Sequence, residues 1–381
     1  MNRIQDVAVL GAGIAGSSLA KSLADRGWEA VLIDRKQFPR HKVCGEFFSP
    51  ESRSMLRHFG LLDDVEALQP SMINKIRLIF NYGDPLEFPL PDNAIGISRY
   101  SLDSTLHSAA LRSGVHVKTS TTVESVTPHQ SGFRIETKHS GERKTYYARA
   151  VIAAWGANAR SGLPGFKPNR TEKNTYIGVK SHFKVTEMEP IVELYFFDGG
   201  YLGIAPIEDG LINVAALLKR NDFRHNEKTV LGLIDSACRR NSKLYQKLSN
   251  AVPISSSQAA IAPVVLNRKP LAWEMIPHVG DASLMLPPLC GDGMSMALRS
   301  AQLCAPLADG YLSGDLTFDK WKDEYSHSIQ REFKGPLKWG RLLQWLLDVP
   351  AMPRLLLGTA HLTPGLVDRL VQATRLKESN L

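Results

Sequence analysis

Residues 6–35 read DVAVLGAGIAGSSLAKSLADRGWEAVLIDR. VAVL is a short apolar run of strand type that stops at Gly11. An amphipathic helical pattern follows to about Asp25, Gly27 closes it, and EAVLID reads as a second strand. The spacing Gly11-x-Gly13-x-x-Gly16 falls on the strand-to-helix turn. There the first glycine permits the tight turn, the second lets backbone approach a pyrophosphate, and the third lets helix pack on strand. Ile14 and Ala15 open the helix. Its N-terminus offers free N–H groups and positive dipole to phosphates. Asp34 comes 18 residues after Gly16, at the end of the second strand, followed by Arg35. Its carboxylate is placed to accept ribose hydroxyls. The stretch predicts a dinucleotide site without choosing the dinucleotide.

The rest of the chain bounds the answer. At 381 residues it buries a large core, and 43% hydrophobic with 22% charged residues is ordinary for a globular protein. The +8 net charge is spread along the chain, which argues against a nucleic-acid partner. The four cysteines, Cys44, Cys238, Cys290 and Cys304, form no CxxC pair and have no histidine cluster, so no metal site is expected. MNRIQDVAVLGAG runs into a strand without a secretory pattern, and no run reaches about 18 apolar residues. A reduced, cytoplasmic setting and a monomer are the expectation.

A second glycine turn lies far downstream, in PHVGDASLMLPPLCGDGMSMALRSAQLCAPLAD, residues 277–309. HVGDA reads as a short strand that leaves Asp281 at its end to meet a ribityl or ribose hydroxyl. Pro287-Pro288 then turn the chain, Gly291 and Gly293 free the backbone to approach a ring or a phosphate, and a helix starts at Met294. With the upstream turn, this reads as the other half of one extended site.

GAGIAG with Asp34, SRYSLDSTLHSAA and VGDASLMLPPLCGDGMSMA together resemble glutathione-reductase-type FAD proteins of the para-hydroxybenzoate hydroxylase class. That class includes aromatic monooxygenases, geranylgeranyl reductases and flavin-dependent halogenases, and the likeness covers most of residues 7–310. It implies an α/β fold: a Rossmann-like FAD-binding domain, an inserted β-rich substrate domain and a helical C-terminal tail. It also implies FAD as cofactor, contacted by Asp281 and by Arg99 at the start of a flanking helix. Two departures stand out. Trp155 occupies the place of the class aspartate in VIAAWGANARSGL, although Gly156 still fits a turn near the cofactor. The identity of the electron donor, expected to be NAD(P)H acting transiently, is thereby open. The W-x-W-x-I-P signature of tryptophan halogenases is absent.

Residues 115–150 alternate apolar and polar as a β-meander that returns to the nucleotide-binding sheet at RAVIAA. Residues 175–218 read as antiparallel strands of the substrate domain. The expected division is 1–72, 96–172 and 265–330 for the discontinuous FAD domain, 73–95 and 173–264 for the substrate sheet, and 331–381 for the C-terminal helical segment. GGYLGIAPIEDGLINV resembles the tunnel strands of geranylgeranyl reductases: Tyr201, Pro206, Gly210 and Val214 keep the frame, while Gly203 and Ala205 replace two aromatics.

The stretch HKVCGEFFSP, residues 41–50, resembles the K-x-C-G-[ED] segment of the same reductases, whose cysteine lies near the flavin. On that resemblance Gly45 passes close to the ring. Cys44 is either a proton donor or substrate contact, or a small packing residue. Glu46 starts the helix SPESRSMLRHFG or bonds the cofactor. Cys44, Tyr201 and Pro288 are the residues expected at the chemistry. The tail 335–377 carries basic, apolar-faced helices that either roof the substrate domain or touch a membrane or partner protein. The leading functional expectation is an FAD-dependent monooxygenase acting on a small aromatic or apolar, polyketide-like substrate. The alternatives are a reductase saturating C=C bonds of an isoprenoid or lipid-like substrate, and a flavoprotein that modifies a partner protein's side chain.

Overall fold

The computed structural model describes residues 3–130, 132–157, 159–166, 175–223, 228–348 and 375–376. VAVL forms the strand Ile4–Leu10, the glycine turn follows, and the first helix runs Ile14–Asp25. Leu19, Ala20 and Leu23 of this helix have no exposed surface, and each fully buried leucine contributes roughly 1.5–3 kcal/mol. The helix packs against Arg99–Arg112 and Gly293–Ser313, so all three segments quoted for the family resemblance share one core cluster.

Two sheets carry the described residues. The first has six strands in the order His116–Lys118, Ala30–Ile33, Ile4–Leu10, Glu142–Ala153, Gly132–His139, Thr121–His129. Its first three pairings are parallel, and the last two are the antiparallel meander. The second sheet has nine strands. Ser71–Ile79 and Leu86–Gly96 join it beside Ile191–Phe197, Gly200–Pro206, Leu211–Lys219 and Tyr176–Lys184. Ala259–Val264 pairs with Tyr176–Lys184, and the two-residue strand Phe47–Phe48 hydrogen-bonds to the Leu86–Gly96 edge. The chain thus crosses from the first sheet to the second within residues 34–46, which end in the Cys44-Gly45-Glu46 trio.

Two local readings change. HVGDA is not a strand. A single parallel bridge joins His278 to Ala153, Val279 N–H donates to the Ala153 carbonyl at 2.8 Å, and a 3-10 turn follows over Gly280–Ala282. Gly280, at φ 59°, turns the chain away before a ladder can extend. Glu46 does not start a helix either: the helix is Ser52–His58, and Glu46 is fully buried at φ 56°. Of the C-terminal segment, Phe318–Asp348 is one long helix, whereas 349–374 and 377–381 lie outside the described residues.

The glycine turn itself is sterically tight. A Cβ on Gly16 would sit 1.8 Å from the Gly11 carbonyl oxygen, and one on Gly11 2.3 Å from that of Ala154. Backbone cannot swing aside as a side-chain tip can. Gly16→Ala is therefore expected to cost roughly 1–3 kcal/mol, read as a lowered denaturant midpoint; an unchanged midpoint contradicts the packing.

Candidate active site

A cleft of about 460 Å³ opens at the glycine turn, lined by Gly11, Gly13, Asp34, Arg40, Trp155 and Ile261 among others. It runs from the ends of the parallel strands to the edge of the second sheet. This is the crevice outside the carboxyl ends of strands where α/β folds bind ligands. Gly13 lies open to it: a Cβ there meets only Arg99 Nη2, at 3.8 Å. Arg99 is buried and gripped by both Asp103 oxygens at 2.7 and 2.8 Å. A fixed guanidinium thus faces the open side of a helix N-terminus. Burial lowers the Lys42 pKa and Arg99 adds to the effect, with Asp281 opposing. Asp103 already offsets the Arg99 charge, whereas among the described residues Lys42 makes no ion pair, and a buried cation is costly without an anion. The cradle and its charge fit a bound diphosphate.

The other predicted cofactor residues distribute along this axis. Asp34 is buried, but its carboxylate already takes Ala12 N–H and Lys36 N–H at 2.8 Å each, and Arg40 at 2.9 and 3.1 Å. It shapes the rim of the cleft with donors from the chain itself; remaining lone pairs are available to a ribose. Arg35 is exposed, whereas Ile14, Ala15 and Met294 are buried with the helices. Gly156 lines the cleft beside Trp155, whose ring meets His278 edge-on at 5.6 Å. Asp281 is half-buried within electrostatic reach of Lys42, Arg99 and Arg268. Gly291, at φ 75°, ends the turn Pro288–Cys290, and Gly293 begins the next helix; a Cβ on Gly293 or on Gly45 meets nothing within 4 Å. Asp292 between them is buried, and burial, reinforced by Glu51, raises its pKa to about 7.

The trio at 44–46 is held from both sides. Asn213 Nδ2 donates to the Cys44 carbonyl at 2.9 Å, while Asn213 Oδ1 is buried without a donor among the described residues. The Glu46 carboxylate accepts Arg99 N–H at 2.9 Å, Lys180 Nζ at 2.9 Å and His182 Nε2 at 2.7 Å. Lys180 and Glu46 side chains have no exposed surface at all. His41 Nδ1 lies 3.2 Å from Lys180 Nζ, and its ring stacks on Tyr100 at 4.7 Å. Burial works against the charge on Glu46, but the His182 bond and Lys180 outweigh it and hold its pKa below the ordinary range. Burial lowers Lys180 despite Glu46, and it lowers His41 to about 4, so the His41 imidazole is neutral near pH 7. The Cys44 thiol is half-buried and raised by burial, with Arg99 only partly opposing, so it keeps its proton.

Lys180 and His182 escaped the sequence reading. Their only signal was a run of basic residues at alternate positions, Lys180, His182 and Lys184, hence on one face of the strand YIGVKSHFK. Tyr201 is not brought to Cys44. It pairs with Phe196 and Leu217, whereas Asn213 pairs with Ala205, four residues further along the strand. That spacing is roughly 13 Å. Tyr201 sits instead in an apolar cluster with Phe80, Phe196, Val264, Leu266 and Leu289. Phe80 and Phe196 stack at 4.8 Å. Pro288 is exposed, on the turn whose Gly291 faces the Phe47 ring next to the 44–46 segment.

Comparison with known proteins agrees with this geometry. The family model described as "FAD binding domain" matches residues 5–314, and the chain belongs to that family: it is an FAD-dependent oxidoreductase. It is similar to digeranylgeranylglycerophospholipid reductase 2 of Methanopyrus kandleri, 24% identical, over 88% of this chain and 86% of the relative. It is also similar to the menaquinone reductase of Mycolicibacterium smegmatis, 26% identical, over 92% and 86%. Among solved structures, a flavin-dependent brominase, Bmp2, superposes with TM-score 0.79 at 18% identity, covering 98% of this chain and 93% of the brominase. Halogenase PltM in complex with phloroglucinol and FAD gives 0.72 at 15%, covering 97% and 83%. These two likenesses concern the fold.

The open Gly13 cradle separates cofactor binding from folding. Gly13→Val is expected to fold with an unchanged melting profile but lose FAD affinity by at least about a hundredfold, because the added methyls occupy the phosphate position. Absorbance after FAD addition and desalting reads it. A yellow, fully loaded variant contradicts the assignment.

Proposed function

We propose that the chain is a flavin-dependent reductase that saturates C=C bonds of an isoprenoid or lipid-like substrate, with NAD(P)H as the transient electron donor. The observation that carries this reading is Cys44 itself: its backbone is pinned between the two sheets by Asn213 and by the neighbouring Glu46–Lys180 pair, and its partly buried thiol is held by that burial above the usual thiol pKa, so it keeps its proton. Saturating a C=C bond adds a hydride to one carbon and a proton to the other. The nicotinamide supplies the electron pair and the thiol supplies the proton, which water replaces after each turnover.

Gly11, Gly13 and the N-terminus of the first helix, with Arg99, hold the diphosphate of FAD in this reading. Asp34 and Arg40 border its adenosine half, and Gly293, with nothing within 4 Å of where a side chain would start, leaves room along its other half. When bound, reduced FAD supplies the hydride. The protein contributes position and dryness. Lys180 offsets the Glu46 charge and His182 hydrogen-bonds it, all closed off from solvent, and the apolar cluster around Phe196 and Leu289 suits a hydrocarbon chain. Support also comes from the two reductases, which align with most of this chain and are named for prenyl-lipid and quinone substrates.

This reverses the order expected from sequence. Hydroxylation of an aromatic substrate remains the second reading, and the stacked Phe80 and Phe196 rings beside Tyr201 favour it. Oxygen dependence separates the two. The reductase consumes NAD(P)H anaerobically with a menaquinone or a prenyl diether and yields product heavier by one H₂ per bond. Turnover that requires O₂ and adds an oxygen atom contradicts it. Cys44→Ala is expected to keep its FAD spectrum while anaerobic turnover falls about a hundredfold or more; undiminished turnover reduces the thiol to packing.

A further inference from the structure

The long helix Phe318–Asp348 has two distinct faces. Its inner side contributes Phe333 and Leu337 to the main core. Further along, Gly340 lies against the cofactor turn: a Cβ there would sit 2.9 Å from Cys290 Sγ. Leu343 and Leu347 pack on the apolar cluster of the second sheet. The outer side is exposed at Arg331, Lys334, Lys338, Leu342 and Trp345, a spacing of three or four residues that keeps one stripe of the helix outward. Trp339 borders the stripe.

The stripe is graded. Its first half carries three exposed cations, and its second half carries Trp339, Leu342 and Trp345, exposed by 37%, 38% and 56%. Two tryptophans and a leucine facing water on one helix end form a patch of the kind that marks an interaction surface. The one acidic residue between positions 331 and 345, Glu332, turns inward to Arg299 at 3.4 Å. Among the described residues no ion pair involves Arg331, Lys334 or Lys338.

We propose that this outer face docks the protein peripherally on an anionic lipid surface. Tryptophan prefers the headgroup boundary, where its apolar ring and polar N–H are both accommodated. A helix with cations flanking an apolar face lies in that plane and gains from anionic headgroups. A second copy of the chain fits less well, since isologous pairing sets the cations of both copies at one interface without acidic partners. Among the described residues no helix is long and apolar enough to cross a bilayer. The placement has a consequence, because the docked helix is the same one that touches Cys290 and the apolar cluster. The lipid surface then lies one helix thickness from the cofactor turn.

Sedimentation of the FAD-loaded full chain with vesicles tests the proposal. Vesicles of equal parts phosphatidylcholine and phosphatidylglycerol are expected to carry the protein down, phosphatidylcholine alone is not, and added salt weakens the binding. The variant K334E/K338E is expected to bind the mixed vesicles at least about tenfold more weakly, and W339A/W345A to bind more weakly with its salt dependence retained. All four positions are exposed, so FAD absorbance and melting stay as in the parent. A parent chain left in the supernatant, or variants that sediment equally well, overturns the proposal. So does concentration-dependent self-association lost in W339A/W345A without vesicle binding, which assigns the face to a second copy. Reductase turnover on a soluble short-chain substrate is measured separately, so a failed reaction and a failed docking are distinct results.

Discussion

One buried carboxylate connects the halves of this protein. Glu46 belongs to the segment that leaves the nucleotide-binding sheet, yet its oxygens are taken by Lys180 and His182 on the second sheet and by the Arg99 N–H. Its carbonyl accepts the Ile97 N–H at 3.0 Å. The residue sits at φ 56°, a region that non-glycine residues occupy at a cost of order 1–3 kcal/mol unless surroundings enforce it. Here they do. Removing either charge strands the other in the interior, which costs about 3–5 kcal/mol. The pair is thus better understood as a positional lock than as net stabilisation.

That lock gives the neighbouring residues their meaning. Cys44 and Gly45 precede Glu46, and Arg99 follows Ile97, so one joint sets the thiol and the buried guanidinium beside the glycine turn. Arg99 and Lys42 bring positive charge to the open face of Gly13, and the first helix adds its dipole. On the far side, Gly291 and Gly293 keep the turn bare while Gly340 admits the long helix against Cys290. Gly291 and Gly340 are close approaches that require a missing side chain, whereas Gly13 and Gly293 are open.

Much of this was legible in the sequence, for definite reasons. The first helix and its flanking strands announce themselves because periodicity, turn glycines and acid fall within thirty residues and serve one local purpose. Family resemblance rightly anticipated FAD and a β-rich second sheet. The Lys180–Glu46 contact was hidden because its members are 134 residues apart and basic residues at alternate strand positions look like a solvated face. HVGDA looked like a strand because its pattern is apolar, but a positive φ at Gly280 overrides the pattern. Tyr201 matched a motif frame that gives strand position but not distance to Cys44. The choice between hydroxylation and reduction was not legible because hydride and oxygen chemistry share the same flavin cradle.

The most direct test is a double-mutant cycle at the lock, with E46Q, K180M and the pair followed by equilibrium unfolding of the FAD-loaded protein. Each single change is predicted to cost about 3–5 kcal/mol, and the double change to cost clearly less than their sum. Strictly additive losses, or single changes within the roughly 0.5 kcal/mol of an ordinary surface substitution, contradict the claim that this carboxylate joins the two sheets.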